Sequence, residues 1–288
     1  MNEWVKLIRV HQWAKNLILF LPLITAHRIF EKATLAPAVA GFFSFSILAS
    51  ATYIMNDLID VVHDQKHPSK RFRPLAAGKI GLRSVKAAAI MFVLISISIA
   101  AFLPTGFRIC LAIYLLTSLS YSLFVKKVPV ADVTFLAGLF TLRLLAGHEA
   151  AQVKNSIWLL AFGIFFFFSL ALVKRYTELQ ISIEKKQLAG RGYRPIDLPM
   201  VESLGIGSGL VSVLIVILYV NSAEVRVLYQ RPSVLLFLAP ILIYWIGRIW
   251  LLAGRGELHD DPVLFALRDR VSYLIGVTAV GIIMLSTF

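Results

Sequence analysis

Cysteine is almost missing from this 288-residue chain. The one present, Cys110, stands inside an apolar run, which excludes an intramolecular disulfide, a cysteine-based metal site and thiol redox chemistry. Charge is scarce too: Asp, Glu, Lys and Arg make up 16% of the residues, far below the roughly one quarter of a soluble domain. With 58% hydrophobic residues and a mean hydropathy of +0.79, this excludes a soluble enzyme and a disordered chain. Nor is there a Gly/Ser- or Pro-rich linker. The longest polar stretch, 57–86, is too short and too charged to bury a core of its own, so a single membrane domain over 1–288 is expected.

What is present in quantity is apolar sequence. Runs at 33–56, 87–107, 109–125, 155–173, 203–223 and 271–288 are uncharged and reach or approach the ~17–25 residues a helix needs to cross a bilayer. An outer-membrane barrel is excluded, because its strands alternate over about ten residues instead of running apolar for twenty. Three less clean segments, 16–29, 132–147 and 233–253, bring the expectation to an all-α polytopic protein with nine transmembrane helices. Lys6 and Arg9 precede the first apolar stretch, but no small-residue cleavage pattern follows and Trp4 and Trp13 suit interfacial anchors, so this reads as a retained first helix.

The charge that remains is lopsided. Of the 29 Lys and Arg, Arg28, Lys32, Arg108, Lys154, Arg226 and Arg231 fall on one set of connections and Arg143 lies inside a span. All the others fall before the first span or around the connections after alternate spans. The positive-inside rule then sets the N-terminus in the cytoplasm of a bacterial inner membrane and the C-terminus outside. Asp57, Asp60, Asp64, Asp132, Glu178, Asp261 and Asp269 gather at the same cytoplasmic ends. Ionisable groups there are costly unless they pair, bind a ligand or line a wet cavity, which points to a site opening to the cytoplasm.

The sharpest motif is NDLIDVVHD at 56–64. Asp57, Asp60 and Asp64 are spaced three and four apart, so on a helix their carboxylates share a face, with Asn56 beside them. Three like charges in a row invite a divalent cation, and oxygen ligands without cysteine favour Mg²⁺, which takes one or two carboxylates plus substrate phosphates. A solvated helix end pairing with the next loop is the plainer explanation. That loop, HPSKRFRP, carries Lys70, Arg71 and Arg73 between two prolines and suits phosphate, or equally anionic lipid headgroups. Elsewhere Lys126, the Lys174-Arg175 pair with Glu178, and Arg270 close or open spans, while Arg143 is either functional or snorkels to the interface. The histidines show no zinc spacing, and neither His63 nor His67 is given a catalytic role.

These motifs resemble the UbiA superfamily of intramembrane prenyltransferases, and more closely its branch of decaprenyl-phosphate (polyprenyl-phosphate) phosphoribosyltransferases. The carriers are HQWAKN at 11–16, NDLIDVVHDQKHPSKRFRPLAAG at 56–78, LRLLAG at 142–147, KRYTEL at 174–179 and ALRDRV at 266–271, in order along nearly the whole chain. The resemblance implies a UbiA-type helical bundle that transfers 5-phosphoribose from 5-phosphoribosyl 1-diphosphate to a polyprenyl phosphate and releases diphosphate. Asp57, Asp60 and Asp64, with Asn56, would hold Mg²⁺; Lys15, Lys70, Arg71, Arg73, Lys126, Arg143, Lys174, Arg175, Glu178 and Arg270 would serve the substrate phosphates. Its partners would be those two substrates and membrane lipids, with homo-oligomers possible and no nucleic acid. The sequence departs from the wider superfamily after the sixth span, where a second acidic motif gives way to Lys174-Arg175 and Glu178. A site holding more phosphate charge needs such cations. Aromatic or quinone prenyl transfer is the same-fold alternative. A lipid-linked sugar transporter is the alternative of another class, disfavoured because transporters set ion sites near the midplane.

Overall fold

The computed structural model describes residues 3–66, 70–184, 192–258 and 261–287. His67, Pro68 and Ser69 of the basic loop, and His259 and Asp260, lie outside the described residues. Among the described residues the protein is all-helical. In order come α1 (Glu3–Ile8), a 3-10 helix (Val10–Phe20), α2 (Leu21–Thr25), α3 (Lys32–Lys66), α4 (Leu82–Ala100), α5 (Thr105–Leu123), α6 (Ala131–Ala151) and α7 (Ile157–Glu184). Then follow α8 (Leu198–Val220), α9 (Val225–Leu228), α10 (Leu238–Gly254), α11 (Pro262–Ala266) and α12 (Arg270–Thr287), with short 3-10 turns between several of them.

Seven of these segments are long and apolar enough to cross a membrane, at 32–66, 82–100, 105–123, 157–181, 195–220, 232–254 and 270–287. The other two expected spans take different forms. Segment 16–29 is largely 3-10 helix followed by the five-residue α2. Segment 132–147 lies in α6, a 21-residue helix that carries Asp132, Arg143 and Glu149. Its charges, not its length, separate it from the rest.

Packing divides the chain into two compact units, one formed by residues 1–24, 28–125 and 142–155, the other by 25–27, 126–141 and 156–288. In the first unit α3 is the hub: it packs most extensively on α4 and also meets α1, α5 and the 3-10 helix. Leu7, Ile54, Leu75, Ile80, Val85 and Ala89 form a core there that ties α1 and the loop after α3 to the helix carrying the acidic motif. Ser44 and Ser96 exchange hydrogen bonds across the α3–α4 contact, satisfying hydroxyls buried among apolar side chains. Ile90, Leu94, Ile97 and Leu116 point outward, as lipid-facing positions should.

In the second unit α8 packs along α7 and α10. The Gly-rich stretch 205–209 explains how: a Cβ on Gly205 would sit 2.0 Å from the Trp250 ring, and one on Gly209 would sit 2.7 Å from Ile246. These glycines serve helix contacts within the chain. Asp269 caps α12 by accepting from the Ser272 amide at 2.8 Å, and a two-pronged Arg248 reaches it at 2.7 and 3.0 Å. Burial alone would raise the Asp269 carboxyl, but these hydrogen bonds hold it below the usual aspartate range.

Candidate active site

In the first unit, one face of α3 carries Ser46, Ser50, Tyr53, Asp57, Asp60 and Asp64 at alternating four- and three-residue steps, a continuous polar stripe along an otherwise apolar helix. The 3-10 helix lies antiparallel to that stripe. Asn16 Nδ2 donates to Ser46 Oγ at 3.0 Å and Trp13 Nε1 to Ser50 Oγ at 2.9 Å. Arg9 stacks over the Tyr53 ring at 5.1 Å and donates to Asp57 Oδ1 at 2.5 Å. A 3-10 helix of eleven residues is long for its type, and these cross-links account for its persistence.

The acidic end of the stripe is deeply placed. Asp57 and Asp64 are each 3% exposed, while Asp60 and Asn56 are half-buried beside them. Arg73 Nη1 joins the two buried acids, at 3.1 Å from Asp57 Oδ1 and 2.6 Å from Asp64 Oδ2. Of the loop cations, Arg73 is thus brought onto the acids, whereas Arg71 is exposed and stacks on Phe72. Lys70 opens the 3-10 turn between them. Arg9 joins the site without any signal in the sequence, because its partner lies 48 residues away and no spacing rule reaches that far.

Among the described residues no three His, Cys, Asp or Glu side chains converge as metal ligands. A magnesium ion does not need three, since it usually takes one or two carboxylates and completes its shell with substrate phosphates and water. Asp57 and Asp64 fit that demand: one cationic nitrogen already lies within hydrogen-bond reach of both, so their oxygens converge on one cation position.

Arg143 of α6 does not snorkel. It is 5% exposed and donates from Nε to Asn16 Oδ1 at 2.8 Å and from Nη2 to the Tyr114 hydroxyl at 3.1 Å, with the Tyr114 and Phe45 rings at 4.9 and 5.6 Å. Through Asn16 it belongs to the same polar seam as Ser46. Lys15, next to Asn16 in sequence, is buried as well. Gly147, of the LRLLAG motif, lets α6 approach this segment, since a Cβ there would lie 2.1 Å from the Leu19 carbonyl oxygen.

The second unit builds a different cluster. Arg175, 2% exposed, donates from Nε to Asp132 Oδ2 at 2.5 Å and from Nη1 to Glu178. Tyr193 donates to the other Asp132 oxygen at 2.7 Å and accepts from the Val130 amide at 2.8 Å. Burial, with the bond to Asp132, pushes the Tyr193 phenol well above the ordinary tyrosine range, so it stays a donor. Lys174 pairs with Asp261 at 3.2 Å and not with Glu178, although the two stand four apart on one helix. Arg175 is therefore held by Glu178 and Asp132, and Lys174 is the half-exposed cation of the motif. Lys126 is half-buried in a 3-10 turn, and Arg270 is exposed at the start of α12. Asp132 and Tyr193, both central here, have no sequence signal beyond an acid at a span end.

A many-helix apolar fold with two buried carboxylate–guanidinium clusters defines an integral membrane protein built around ionic chemistry. The chain belongs to the UbiA prenyltransferase family, whose sequence profile matches residues 17–271. It is 39% identical over 280 residues to the uncharacterized protein y4nM of Sinorhizobium fredii, covering 96% of this chain and 54% of that one, so it spans about half the length of that relative. It is 34% identical over 287 residues to the nodulation protein NoeC of Azorhizobium caulinodans, covering 96% and 91% of the two. It is 31% identical over 286 residues to the decaprenyl-phosphate phosphoribosyltransferase of Mycobacterium tuberculosis, covering 94% and 89%. Among solved structures, a UbiA homolog from Archaeoglobus fulgidus bound to DMAPP and Mg²⁺ superposes with a TM-score of 0.74 over 99% of both chains at 18% identity, a likeness of fold.

Proposed function

We propose that this protein transfers 5-phosphoribose from 5-phosphoribosyl 1-diphosphate to a polyprenyl phosphate in the bacterial inner membrane, with Mg²⁺. Asp57 and Asp64, flanked by Asp60 and Asn56, are the residues that would hold the ion. When bound it neutralises the diphosphate leaving group. Arg73 and Arg9, already beside the acids, supply guanidinium forks suited to phosphate oxygens. A lipid phosphate oxygen forms the new bond to the anomeric carbon as the bond to diphosphate breaks, and diphosphate leaves with the electron pair. That oxygen is already anionic, so no strong general base is required, and catalysis rests on positioning and charge support. Lys126, Lys174 and Arg270 are assigned to phosphate on their sequence pattern, and Glu178 to orienting Arg175.

The observation that favours phosphoribosyl over prenyl transfer is the end of α7. There Arg175 takes up both Asp132 and Glu178, and Lys174 takes up Asp261, so the acids near this motif are spent on cations. Asp132, Glu178 and Asp261 are thereby paired and not presented together as a second metal-holding motif, which supports a donor held at the single acidic motif of α3. The similarity to the mycobacterial phosphoribosyltransferase supports the same reading. The second reading is isoprenyl transfer to an aromatic or quinone acceptor, with which the shared fold of homologs bound to DMAPP or GPP is compatible.

The deciding experiment gives the purified protein labelled phosphoribosyl diphosphate, polyprenyl phosphate and Mg²⁺, with and without chelator. Label should enter the lipid phase, vanish with chelator and fall about a hundredfold or more in Asp57→Asn, the scale of removing one charge-stabilising group. No labelled lipid from folded protein, together with turnover of an isoprenyl diphosphate, overturns the proposal for the second reading.

A further inference from the structure

The buried acids of α3 are not open. Asp57 and Asp64 side chains are 3% and 4% exposed, whereas Arg9 and Arg73, which cover them, are 18% and 29% exposed. Of the four ion-paired side chains, the two guanidiniums are the more accessible. Within the quartet Arg9, Asp57, Asp64 and Arg73 the charges are matched, so a divalent cation held by Asp57 and Asp64 must take the place that Arg73 Nη1 occupies between the carboxylates. An arginine leaving that place needs a new anion, because a cation stripped of its buried partner is expensive. A diphosphate provides one, and the loss of arginine from Asp57 is then compensated by the metal.

We propose that Arg9 and Arg73 are built-in counter-ions that keep the metal position filled until a divalent cation and a diphosphate arrive together, whereupon both arginines pass from carboxylate to phosphate. The inference rests on the reading of Asp57 and Asp64 as metal-holding residues and goes beyond it by assigning Arg9 a role and by ordering the binding events. Local structure suits Arg9 to the exchange. It occupies a left-handed conformation (φ 56°, ψ 47°) at the joint between α1 and the 3-10 helix, a position a non-glycine residue holds only when its surroundings enforce it. The side-chain bonds to Asp57 and Tyr53 are part of that enforcement, so their release lets the joint relax.

The consequence is an opposed pair of effects that a merely structural arginine does not produce. Full-length protein in detergent is tested by equilibrium dialysis against Mn²⁺ alone, and separately for retention of labelled inorganic pyrophosphate in the presence of Mn²⁺. Replacing the counter-ion in Arg73→Gln should tighten binding of Mn²⁺ alone by about tenfold, within the usual range of coupling between sites, and weaken pyrophosphate retention by a similar factor. Arg9→Gln should shift both in the same directions, and Arg9→Lys, which keeps the charge, should recover most of the pyrophosphate retention. Asp57→Asn should abolish Mn²⁺ binding in every background. Arginine variants that bind Mn²⁺ no more tightly than the natural protein, or that lose both ligands together while still unfolding cooperatively, overturn the exchange. Failure of the natural protein and all variants to bind Mn²⁺ with pyrophosphate overturns the metal-site reading itself, a separate outcome.

Discussion

Arg175 illustrates how a buried ion pair constrains a residue. Its guanidinium is 2% exposed and Asp132 is fully buried, so truncating the cation strands a carboxylate with Tyr193 as its remaining neutral donor. Arg175→Gln should therefore cost about 3–5 kcal/mol, the usual penalty for breaking a buried pair from one side. Tyr193→Phe removes one hydrogen bond and should cost about 1–3 kcal/mol, the range for leaving a buried partner without its donor. Thermal unfolding in detergent orders the two, and a Tyr193→Phe loss equal to that of Arg175→Gln would show that the ion pair is not what chiefly holds Asp132 in place. That KRYTEL forms a motif was legible in the sequence. That its arginine faces inward on Asp132 while its lysine reaches Asp261 was not, because helical spacing relates residues on one helix and these partners are 43 and 87 positions away.

At the scale of elements, two glycines fix how closely helices approach. Gly205 of α8 meets the Trp250 ring of α10, and Gly147 of α6 meets the backbone carbonyl of Leu19. A side-chain ring can rotate, but a main-chain oxygen within the first unit cannot yield without moving the 3-10 helix. Gly205→Ala should lower stability by about 1–3 kcal/mol, as overpacking does. Gly147→Ala should be the more damaging, and should also reduce turnover, since Leu19 is continuous with Asn16 and the seam leading to Arg9 and Asp57. Comparing melting temperature with lipid-phase label for the two variants separates a packing defect from one transmitted to the acids. The 3-10 helix itself eluded the sequence, where 16–29 reads as an apolar span. Its form is enforced by bonds to α3 from residues 30 to 37 positions distant.

For the whole molecule, the charge asymmetry makes a claim about orientation that labelling checks directly. Cys110, the sole native thiol, is 3% exposed, so an introduced cysteine can be read with little background. Lys154→Cys should react with an impermeant thiol reagent in intact cells and Arg83→Cys only after permeabilisation; the reverse pattern would invert the topology. Composition and the length of the apolar runs determined by themselves that this is an all-helical membrane protein, because hydrocarbon demands about twenty apolar residues per crossing whatever the rest of the chain does. The order of its motifs likewise determined the family, and the three-and-four spacing put the acids on one face of α3. Tertiary structure alone decided which cations sit on which acids, that Arg9 joins the site and that Arg143 turns inward to Asn16. Those pairings depend on distance and burial between segments far apart in the chain, where the energy of an ionic contact is set by the company it is folded into and not by its place in sequence.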